Sequence, residues 1–316
     1  MECSSSAVTY AEQLASRGYG LPLWHPEPQA GAFGHAEIGD VGFLSEGRFF
    51  RLFNALHSAS HPINAYGVPA GFMKLEPNKE LLKDDPRAVD PRPICTTSTV
   101  YRRAGVGAGV SLNLAGVEAS YSFSSSVDRG AIAVLGDYGH QRWYLSNRQF
   151  RDYIVAHHAS WYAFADDNGY LLSPDAIILV SGWLKTSEWA IATFANFDRS
   201  QQIDLHASVG SYASAVFRAA NHSVTHMSVE QRSGPQTRLA GHESALPRDQ
   251  CLFLRYYKLK TRTFGRPKVL LRADAKDIQP LPESIASPQR SYRASDSASS
   301  TKTQHSRLRS RLRWPI

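Results

Sequence analysis

The sequence predicts an α+β protein, mainly antiparallel β, with a central amphipathic helix over residues 146–165 packed on the sheet. Three observations carry that reading. Strand-patterned segments, about ten of them, outnumber the two or three helical ones and show no regular βαβ alternation. One hairpin, Asp40–Phe53, is marked by a Glu46-Gly47 turn between two apolar-rich runs. One helix has its start, face and stop all written out. Ser146 and Gln149 have capping-box spacing, and Phe150, Tyr153, Ile154, His157, Trp161 and Phe164 fall on one face. Asp166-Asp167-Asn168-Gly169 then ends it, with glycine available for the left-handed position after the last turn.

The remaining elements follow in chain order. Val8–Ser16 reads as a short helix closed by Gly18 and Gly20. The Pro- and Gly-punctuated GLPLWHPEPQAGAFG reads as an extended aromatic loop. Residues 54–94 carry several prolines and charges, so they read as a long surface connection with an internal boundary. Thr96–Arg103 is a β-branched strand, and residues 105–123 alternate apolar and polar positions over two consecutive strands. Gly130–Leu135 and Ala176–Val180 are apolar strands. Trp189–Phe194 is expected to pair with the latter in a second hairpin closed by SGWLKTSE. Ile203–Val209, Tyr212–Arg218, Cys251–Arg262 and Lys268–Arg272 complete the set. These elements form one domain over residues 8–275, flanked by a disordered N-terminus (1–7) and a disordered basic tail (276–316).

Composition narrows the function classes. With 42% hydrophobic residues in 316, the chain can bury a substantial core. No apolar run is long enough for a transmembrane helix, and MECSSSAVTYAEQL lacks the pattern of a secretory signal. Cys3, Cys95 and Cys251 are few and scattered, which fits a reducing compartment. These features predict an intracellular, soluble protein, cytoplasmic or directed to the nucleus by the Arg-rich end. The net charge of +7 is concentrated after Ser284, where Arg290, Arg293, Lys302, Arg307, Arg309, Arg311 and Arg313 face Asp296 alone. That leaves the folded part nearly neutral, which argues against a dedicated nucleic-acid domain. The tail itself suits an acidic surface or nucleic acid.

The order of several segments resembles a large family of uncharacterised proteins from mushroom-forming (basidiomycete) fungi. The matching pieces are GYGLPLWHPEP, EIGDVGFLSEGRFFRLFN with HPIN downstream, the Gly/Ala/Ser-rich alternating stretch, ASWYAFA, LVSGWLKTSEWAIATFAN and DQCLFLRYYKL. The likeness covers roughly residues 10–272. The family has a Gly-Cys-Asp-Lys-like segment before its Trp strand. This chain keeps Gly182 and Lys185 but has Trp183 and Leu184 between them, so no role of that Cys or Asp carries over. The resemblance implies lineage and no established activity.

Catalytic signatures are missing from the sequence: there is no HExxH, GxSxG, phosphate-binding loop, dinucleotide fingerprint or paired CxxC. His222 and His226 have metal-ligand spacing only on a helix, and their surroundings read as strand or loop. His157 reads as a core histidine bonded to a backbone carbonyl. We therefore expect no catalytic residue, metal or cofactor. The favoured role is a non-enzymatic protein-interaction module with Trp183, Lys185 and Trp189 as its aromatic, cationic surface. The alternative is a membrane-active, pore-forming-like protein that inserts the 105–123 strand pair.

Overall fold

The computed structural model describes residues 5–103, 118–146, 148–197, 202–208, 211–219, 228–235, 246–260 and 268–271. These belong to one compact unit, Met1–Leu281; the second unit, Pro282–Ile316, lies outside the described residues, as do the basic tail and the 104–117 half of the alternating stretch. His222 and His226 also lie outside them.

The chain opens with helix α1 (Ser6–Leu14), β1 (Leu21–Pro22) and the hairpin β2 (Asp40–Ser45) and β3 (Arg48–Asn54). Next come β4 (Leu82–Val89), β5 (Ile94–Cys95), β6 (Thr99–Arg103), β7 (Glu118–Ser125), β8 (Gly130–Leu135) and β9 (Gly139–Tyr144). After helix α2 (Arg148–Asp167) follow β10 (Ile178–Thr186), β11 (Trp189–Ala195), β12 (Ile203–Ser208) and β13 (Ser211–Ala219). β14 (Ser228–Gly234), β15 (Gln250–Lys260) and β16 (Lys268–Leu271) end the described chain. Every strand pairing is antiparallel, so the class is α+β and β-rich.

The described strands form three sheets. In the first, β10 is flanked on one side by β15; on the other it pairs with β2 through Ile178–Leu179 and with β9 through Gly182–Lys185. The fork needs Gly182. It sits at a bulge, where a Cβ would come within 2.5 Å of the Trp143 Cβ on β9. The second sheet runs β14-β11-β8-β5 and the third β13-β12-β7-β6.

The second sheet is covered on both faces, which explains its nearly continuous apolar strands. Ala131, Ala133, Leu135, Trp189 and Ile191 share one core with Tyr10 and Leu14 of α1 and Leu252 and Phe253 of β15. Ile132, Val134, Ala190, Ala192 and Phe194 share another with Tyr121, Phe123, Leu205 and Phe217 of the third sheet. A third core joins β2, β3, β10 and β15 to Phe150, Ile154, Trp161 and Ala165 of α2. There Phe150 stacks on Tyr257 at 5.7 Å, and Trp161 meets Phe53 edge-on at 5.9 Å. Each fully buried large side chain, such as Trp161, Trp189 or Phe53, contributes roughly 2–3 kcal/mol of transfer free energy.

The β2–β3 turn follows its sequence, with Glu46 and Gly47 both at positive φ (49° and 78°), as a type I′ turn requires. Several local expectations are corrected. Gln149 does not close a capping box: its amide oxygen accepts from Asn78 N at 2.8 Å, and its nitrogen donates to Glu76 O at 3.3 Å. Long-range loop anchoring thus replaces the local cap. On α2 the buried histidine is His158, not His157, because Phe150, Ile154, Trp161 and Ala165 centre the buried face one position on. His158 makes the backbone hydrogen bond, with Pro174, and burial lowers its pKa. Residues 82–89 form a strand on β9, so the 54–94 segment is not merely a connection. SGWLKTSE closes no hairpin. β10 continues through Thr186, and β11 belongs to a different sheet.

Candidate functional site

The last correction concerns the three residues expected to form a surface. Trp183, Lys185 and Trp189 are 5%, 2% and 0% exposed. A lysine can be buried in a strand only if its charge is met. Lys185 Nζ donates to Glu37 Oε1 at 3.2 Å and lies 4.1 Å over the Trp183 ring. Trp189 Nε1 donates to Gln250 Oε1 at 3.1 Å in the core. Thr186 bonds Asp137. The polar letters that suggested a turn are therefore partners of buried groups.

What Lys185 reaches is more informative than Lys185 itself. Glu37 belongs to the segment after β1, which continues along β15 through Leu23 N→Leu252 O and Cys251 N→Pro26 O and is tied to β3 by Gln29 and Arg51. Between segment and strands lies a small cleft, partly open to solvent, whose enclosed volume of about 20 Å³ holds roughly one water molecule. Leu23, Phe33 and Phe49 give it apolar walls; His25, Glu27, Arg48 and Arg51 give it polar ones.

Arg51 fixes the wall. Its side chain is 5% exposed, its Nε donates to Asp40 Oδ1 at 2.6 Å, and its two terminal nitrogens donate to Phe33 O and His35 O. One guanidinium thus binds a strand carboxylate and two segment carbonyls, the fork geometry that Arg supplies and Lys does not. Burial pushes the Asp40 carboxyl up. The Arg51 charge, Glu37 N at 2.7 Å and the Asn54 amide at 2.7 Å pull it back toward the ionised form.

Glu37 accepts from both His35 Nε2 and Lys185 Nζ. Burial works to raise its pKa, but the His35 hydrogen bond and the Lys185 charge outweigh it and hold the carboxyl at about 2. Cys251, the cross-strand neighbour of Lys185, also lines the cleft, and burial pushes its thiol up to about 12.

At the opposite wall Arg48 Nη2 donates to His25 Nδ1 at 3.0 Å, and Arg232 pairs with Glu27. Burial, then the Arg232 and Arg48 charges, lower His25 to about 4. The ring is therefore neutral at ordinary pH. Because Nδ1 accepts, Nε2 carries the proton. Beside the cleft, Tyr66 stacks on Phe33 with centroids 4.5 Å apart at 17°, while 54% of its surface stays exposed.

Sequence reading missed His25, Glu37, Arg48 and Arg51. The available signal was a pair of arginines inside the apolar hairpin strand RFFRLF, since a buried arginine demands a buried partner. Among the described residues no group of three His, Cys, Asp or Glu side chains is arranged to hold a metal ion, and no helix is long and apolar enough to cross a membrane. No family model matches the chain, and comparison with curated proteins finds no match.

Proposed function

We propose that the protein is a non-enzymatic recognition module whose binding site is the cleft between the 23–37 segment, β3 and β15. One observation carries this reading. An exposed aromatic, Tyr66, is stacked on a cleft-lining ring, beside walls already fixed by the Arg51 hydrogen bonds. Aromatic anchors next to preorganised polar groups are where binding energy concentrates, because little ordering entropy is lost on association. The titratable groups favour binding over catalysis. A thiol pushed to about 12, a carboxyl held at about 2 and an imidazole lowered to about 4 are poor proton carriers near neutrality.

The membrane-active alternative gains less support. Tyr121 and Phe123, in the described half of the 105–123 stretch, direct their apolar side into the core against Phe217 and Leu205. Within the proposal, α2 is the central helix of the first sheet, Cys95 and Cys251 are reduced thiols of a cytoplasmic protein, and the fungal lineage rests on the segments quoted above. The basic tail is accessory to a protein partner.

The test is a ligand-observed NMR screen of small organic fragments against the wild type and Gln29→Trp, which sets an indole across the cleft. Fragments that bind the wild type and are lost from the variant support the reading. Hits indifferent to the substitution would refute it.

A further inference from the structure

Resting on that recognition reading, we infer that the cleft receives a carboxylate, the side chain of an Asp or Glu on a partner protein, at the Arg48 guanidinium and the His25 Nε2–H. Among the described residues, three guanidiniums stand in or beside the cleft. Arg51 meets Asp40, and Arg232 meets Glu27. Arg48, half-buried, has no carboxylate within ion-pair distance among the described residues; its hydrogen bond goes to the His25 ring. Its donors toward the cleft are left for water or for a ligand.

His25 is set up to help. Its Nδ1 is occupied as acceptor of the Arg48 hydrogen bond, which leaves Nε2–H as a donor with no partner among the described residues. The adjoining pair adds no net donor: Arg232 Nε, a donor, and Glu27 Oε2, an acceptor, are both buried without hydrogen-bond partners among the described residues. Among the described residues, the cations in and beside the cleft exceed the carboxylates paired with them by one, Arg48. That matches a singly charged carboxylate better than a phosphate, whose second charge would go unmet. Apolar walls from Leu23, Phe33 and Phe49 keep water sparse around the pair and strengthen the attraction.

Fluorescence anisotropy tests this with a labelled short Gly/Ser peptide carrying one Glu, a matched Gln peptide and a phosphoserine peptide. The full chain should bind the Glu peptide about tenfold or more tightly than the Gln peptide, as expected for a charge-assisted hydrogen bond. Added salt should weaken the Glu peptide alone. Arg48→Gln should erase the preference. Arg48→Lys, which keeps the charge and loses the fork, should retain part of it and carries the test if Arg48→Gln fails to fold. Equal binding of Glu and Gln peptides, binding of neither, or a preference that survives Arg48→Gln would overturn the inference. A phosphoserine peptide bound more tightly through Arg48 would overturn it in favour of phosphate. Neutral fragments that bind and are excluded by Gln29→Trp would leave the recognition reading standing while the carboxylate inference fails.

Discussion

Replacing Glu37 by Gln should expose how the buried lysine is held. Lys185 is 2% exposed, and its described carboxylate partner is Glu37, whose side chain is 30% exposed. Removing one partner of a fully buried pair costs about 3–5 kcal/mol, and the partial exposure of Glu37 lowers the expectation to about 2–4 kcal/mol. Adding Lys185→Met should recover most of that loss, because the uncompensated ammonium goes with it. The acid limb gives an independent reading. Glu37 is depressed from 4.5 to about 2 by folding, so its contribution is fully present above pH 4.5 and is lost as pH falls toward 2. Linkage sets a ceiling of roughly 3 kcal/mol on that contribution. Urea unfolding from pH 7 to pH 2 measures both effects. The wild type should lose more stability below pH 4.5 than Glu37→Gln does. A single variant within about 1 kcal/mol of the wild type and an unchanged acid limb would refute the assignment.

Three further outcomes follow from the same geometry. Gly182→Ala puts a Cβ 2.5 Å from the Trp143 Cβ and 2.9 Å from Arg142 O, so urea midpoints should report a loss of about 1–3 kcal/mol from overpacking. Arg51→Met leaves Asp40, at 0% exposure, without its guanidinium and frees the carbonyls of Phe33 and His35. Its stability should fall by about 3–5 kcal/mol, and amide exchange should speed up between residues 33 and 37. In a Cys3→Ser background, Cys95 and Cys251, both buried with thiols pushed to about 12, should resist a disulfide reagent at pH 8 until the chain is denatured.

The elements legible in the sequence are those whose signals are local. The β2–β3 hairpin is set by Glu46-Gly47, the stop of α2 by Gly169 at φ 81°, and strands β8, β12 and β13 by short-range apolar patterning. Long-range partners decided the rest. Lys185, Thr186 and Glu188 read as a turn because a polar run in isolation is one; Glu37, far back in the chain, lets Lys185 sit inside a strand. β4, with Asp84, Asp85 and Pro86, has strand geometry only because β9 lies beside it, and no local propensity predicts that pairing. The cleft was illegible for the same reason. His25, Arg48 and Arg232 come from three separate parts of the chain, and their convergence is a property of sheet order.

The most direct measurement of the cleft as the recognition site is backbone amide chemical-shift mapping of the full chain with the Glu peptide. Shifts should concentrate at residues 23–37 and 48–51, with little change elsewhere. Shifts concentrated in 104–123 or in the 276–316 tail would contradict it.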